Sequence, residues 1–112
     1  MKKALTLGVL IAASLPLAST QAAKEQSLAQ LCLNYAKEQF SQNPDVAYKL
    51  NQSRLNRDDI QENLFNGMVG KQPVSTEVVL ELHSEQEVLG TLLCLFDGRK
   101  PIYSFFASLA TN

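Results

Sequence analysis

The sequence has no apolar run long enough to cross a membrane: the longest, Ala4 to Leu17, is about 14 residues, where a spanning helix needs about 20. It also lacks any cluster of basic residues. Arg54 and Arg57 are answered by Asp58 and Asp59, and Arg99-Lys100 sits alone in a turn. With a formal charge of −1, the chain has no electrostatic footprint for nucleic acid or anionic lipid. G-x-S-x-G, the P-loop, H-E-x-x-H and the dinucleotide fingerprint are all missing, so no motif implies an enzyme or a cofactor. Low-complexity tracts, internal repeats and dividing linkers are missing as well, which leaves one domain.

What is there begins with "MKKALTLGVLIAASLPLASTQAAKEQ". Lys2 and Lys3, the apolar stretch, and small residues ending in Ala22-Ala23 form the layout of a secretory signal peptide. Cleavage after Ala22 or Ala23 fits equally well. Residues 1–22 are thus expected to be removed, leaving residues 23–112 as a small periplasmic domain. Loss of Lys2 and Lys3 takes the charge from −1 to −3. Cys32 lies too far past the cut for a bacterial lipid anchor, so no stable membrane attachment is expected after cleavage. At about 90 residues, the mature chain can build one core with little stability to spare.

The first half reads as helix. Leu28, Leu31, Cys32, Tyr35 and Ala36 recur at helical steps, with Phe40 extending the stripe. Asn43-Pro44 breaks that helix and starts another, because asparagine caps well and proline suits the first helical position. "RDDIQENLF" is expected to form a third helix. Asn56 would cap it, Asp58 and Asp59 would complement its dipole, and Asn66-Gly67 would end it.

The period then changes. "PVSTEVVLEL" alternates, with Val74, Thr76, Val78, Leu80 and Leu82 on one face and Ser75, Glu77, Glu81 and His83 on the other. "HSEQ" is a hairpin tip, "EVLGTLLCLF" a second strand, and Asp97-Gly98 a turn into "IYSFFASL". The expected fold class is α+β: two or three N-terminal helices packed on a three-stranded antiparallel β-meander. Pro101 suits an edge strand, where a missing N–H does no harm.

The only two cysteines, Cys32 and Cys94, both fall on positions expected to face the core. In an oxidising compartment that favours a disulfide joining the helical half to the sheet, with Gly90 leaving room for a helix to come close. Three other readings compete. A redox pair normally lies closer in sequence. A nucleophilic Cys94 would need a base, and the only histidine is His83. Two buried free thiols are the blandest reading.

Glu81, His83 and Glu85 share one face of a regular strand and are weak candidate metal ligands; a solvated hairpin tip explains them as well. Asp58, Asp59 and Glu62 need only the helix dipole as explanation. On the sheet, Leu89, Leu93, Leu95 and Phe106 (or its neighbour Phe105) are expected to face away from the helices. That makes a surface for a protein partner or a homodimer, unless another segment wraps over it.

The stretch "LNQSRLNRDDIQENLFNG" resembles a family of small, secreted, uncharacterised proteins of Gram-negative bacteria. That family is a domain of unknown function with a Cys-Asn-Gly motif after an earlier cysteine. Asn66 and Gly67 match the motif, while Phe65 stands where its cysteine would be. The resemblance implies a compartment and a size rather than an activity. The expected function is that of a non-enzymatic accessory or protein-binding module of the cell envelope. A small-ligand or metal-binding protein is the alternative, and an enzyme centred on Cys94 or His83 a distant third.

Overall fold

The Ser27 hydroxyl accepts a hydrogen bond from the Gln30 amide, capping helix α1, Leu28–Gln39. The computed structural model describes residues 26–109, and the expected signal peptide lies outside them. The buried stripe of α1 is Ala29, Cys32, Leu33 and Ala36. It is rotated slightly from the expected one, so that Tyr35 is only half-buried. Asn43 accepts from the Val46 amide and Pro44 occupies the first turn of α2, Pro44–Gln52. Of this helix, Leu50 is fully buried.

The third helix does not form. Only a short 3-10 turn, Arg57–Asp59, is present, and the chain then enters strand β1, Ile60–Val69. β2 spans Gln72–His83, β3 Val88–Asp97 and β4 Lys100–Ser108. The sheet therefore has four strands rather than three, all antiparallel, in the order β1-β2-β3-β4. The fold is α+β, and β1 rather than β2 forms the edge of the sheet. Gly70, at φ 62, opens the two-residue turn between the paired residues Val69 and Gln72. That conformation suits glycine at the first turn position. Pro101 lies in β4, an edge strand as expected.

Helix α1 lies against β4, β2 and β3. The core between these layers joins the stripe of α1 and Leu50 to Val78, Leu80, Leu82, Leu92, Cys94 and Phe96. Cys32 and Cys94 are both fully buried there and form a disulfide, S–S 2.08 Å with Cα atoms 5.8 Å apart. A covalent bond thus crosses the helix–sheet interface, and neither cysteine is a free thiol.

Two expectations about β3 need correction. Leu82 pairs with Gly90 but His83 pairs with Val88, so Leu89 is an extra residue in a bulge. Alternation fails there, and Leu89 turns into the core, 7 % exposed, instead of facing away. Gly90 does not make room for a helix. Its φ is 155°, and a Cβ there would lie 2.5 Å from the Ala107 carbonyl oxygen and 2.8 Å from Phe106 Cζ. The close approach is by β4.

Candidate functional site

The face of the sheet turned away from the helices is built by register. One lateral row runs Gln61, Val79, Leu93, Phe105, and the next runs Asn63, Glu77, Leu95, Tyr103. Leu93 and Leu95 lie on this face as expected. Phe106 does not: it pairs with the fully buried Leu92, packs against the helix-side core and covers Gly90. Phe105 takes the outward position and is 53 % exposed, beside Tyr103 at 51 %. The outer face thus presents an apolar centre of Val79, Leu93, Leu95, Tyr103 and Phe105.

Charge is divided between the two ends of this face. The β1–β2 and β3–β4 turns lie at one end and carry Lys71 and Lys100, the latter opposite Asp97 in the ladder, while Arg99 donates to the Gln26 carbonyl ahead of α1. A groove of about 350 Å³ there is lined by Val69, Gln72, Val74, Leu95, Ile102 and Tyr103. At the other end, Asp58, Asp59 and Glu81 line an open hollow of about 240 Å³ with Gln61, Val79 and Thr91.

His83 lies at this acidic end. The pairs Ile60–Leu80 and Gln61–Val79 start the β1–β2 ladder. Continuing that register one step back sets Asp59 across from Glu81, and His83 follows Glu81 on the same face. His83 Nε2 is 3.2 Å from Asp59 Oδ2 and 3.7 Å from Glu81 Oε1. Nε2 is nevertheless shielded from solvent without a hydrogen bond of good alignment. Arg54 holds this corner in place: its amide donates to the His83 carbonyl at 2.9 Å, closing a β-bridge.

Of the expected ligand set, Glu81 and His83 come together and Glu85 does not. Glu85 instead accepts from Arg54 Nη2 at 2.6 Å in an exposed ion pair. The hairpin tip turns it away, with the Ser84 amide bonded to the Glu87 carbonyl. Asp59 takes its place. Sequence reasoning missed it by assigning it to a helix start, and the signal that could have found it is the alternation of a strand beginning at Ile60.

Compared with family models, curated proteins and solved structures, the chain matches none. Among the described residues, no helix is long and apolar enough to cross a membrane.

Proposed function

We propose that the protein is a non-enzymatic protein-binding module of the bacterial cell envelope, exported by residues 1–22 and acting in the periplasm. Its binding surface is the outer sheet face, and the occupant of that face is a second copy of the chain. The observation that carries this reading is the row Val79–Leu93–Phe105 beside Leu95 and Tyr103. Both aromatic rings of that patch are half-exposed, and contiguous apolar surface of this kind marks an interaction site. The disulfide is compatible with an oxidising compartment.

The choice of occupant follows from charge. Two sheets stacked face to face about a two-fold axis perpendicular to their strands place the basic end of each over the acidic end of the other. Lys71 and Lys100 of one copy then approach the acidic end of its partner, where Asp58 lines the hollow. Self-complementary apolar and charged surface is what an isologous dimer requires.

Sedimentation equilibrium of the oxidised mature protein tests this. A dimer is expected that dissociates in Phe105→Glu and Leu93→Glu and weakens as salt rises. A mass that stays monomeric across the concentration range, or a dimer untouched by both substitutions, overturns the assignment of this face.

A further inference from the structure

We propose that Asp59, Glu81 and His83 form a site for one divalent transition-metal ion, of which zinc is the probe. Their donor atoms all lie within 4.8 Å of one another. A tetrahedral zinc with bonds of about 2.0–2.2 Å sets its donors about 3.4 Å apart. The His83 Nε2 separations of 3.2 Å to Asp59 and 3.7 Å to Glu81 bracket that edge length for two of the three donor pairs, and the third pair lies within 4.8 Å.

The local chemistry asks for a cation. Two carboxylates converge here, and among the described residues no lysine or arginine pairs with either. His83 Nε2 is shielded from solvent, and its 3.2 Å contact with Asp59 Oδ2 is not an aligned hydrogen bond. Such an atom loses a partner's stabilisation unless something occupies the space between it and the two oxygens. A metal ion coordinates all three groups at once and offsets the repulsion between the carboxylates.

The donor set selects the ion class. One imidazole with two carboxylates suits zinc and its neighbours in the first transition row. Calcium takes six to eight oxygens, and magnesium keeps most of its waters. The site is supported as metal sites usually are. Asn56 Nδ2 lies 3.4 Å from the Asp59 oxygen that faces His83, while Arg54 fixes the His83 backbone. The adjoining hollow beside Asp58 and Thr91 leaves space for water to complete the coordination. Such an ion clasps the turn before β1 to the end of β2, and so fastens an edge strand to the rest of the sheet.

Equilibrium dialysis of the oxidised, chelator-stripped protein, free of any histidine tag, against zinc chloride tests the proposal. One zinc per chain is expected, with a change in the ring resonances of His83. His83→Ala and Asp59→Asn should each weaken binding by roughly tenfold or more, as loss of even a supporting residue does in metal sites. Glu85→Gln, outside the cluster, should leave binding as it is. Asp59→Asn preserves size and the turn, so it reads the site even where His83→Ala perturbs the hairpin. Zinc retained at full affinity by both ligand variants, no stoichiometric binding, or equal binding of calcium or magnesium each overturns it.

Discussion

The ring of Phe106 lies over Gly90, and its Cζ would stand 2.8 Å from a Cβ at that position. The φ of 155° is itself one that L side chains rarely adopt. Gly90→Ala should therefore lower stability by roughly 2–4 kcal/mol, from strained backbone together with overpacking. Urea denaturation checks this, and an unchanged midpoint would mean that β4 does not approach β3 as described.

The Cys32–Cys94 bond spans a sequence separation of 62 residues. In the chain-entropy account, a loop of that length stabilises the folded state by about 4 kcal/mol. The double substitution Cys32→Ala, Cys94→Ala is expected to lose that amount or more, because each sulfur also fills buried space. Thermal unfolding of the oxidised protein with and without reductant gives an independent measure. Equal melting temperatures in the two conditions would contradict the bond.

Leu92 and Leu93 are neighbours in β3 with opposite surroundings: the first is fully buried, the second only half-buried on the outer face. Leu92→Ala should cost about 2–5 kcal/mol, and Leu93→Ala about 1 kcal/mol in the monomer. Reversal of that order would invert the assignment of the two faces.

Ser104 lies opposite Cys94 in the β3–β4 ladder, and its hydroxyl is buried without a hydrogen-bond partner. Removing an unsatisfied buried hydroxyl relieves a desolvation cost, so Ser104→Ala should raise stability by about 1 kcal/mol. A clear loss of stability, read from the urea midpoint, would show that the hydroxyl is bonded in solution.

The features legible in the sequence are those with local causes. Asn43-Pro44 starts a helix because cap and proline act within one turn. The Asp97–Lys100 hairpin forms where Gly98, at φ 65, supplies the needed conformation. The disulfide could be read because both cysteines fall on core-facing positions and the expected export favours their oxidation. β1 was not legible, since its local signals are those of a helix: acidic residues at the start, Ile60 and Leu64 four apart, and Asn66-Gly67 at the end. Pairing with the open edge of β2 overrides them. Asn66 does adopt a positive φ of 48°, but in a bulge of the β1–β2 ladder rather than at a helix terminus. A single bulged residue likewise moved Leu89 from the outer face to the core, and periodicity alone gives no warning of such an insertion. The missing ligand Asp59 follows from the same error as β1.

The irregularity between Leu64 and Gly67 has a protective side. β1 is an edge strand with Leu64, Phe65, Met68 and Val69 all exposed, the makings of a template for fibrous growth between chains. Inserting an extra residue midway puts the two halves of the strand out of step. An incoming straight segment can then match one half or the other, never both, which makes this edge a poor template.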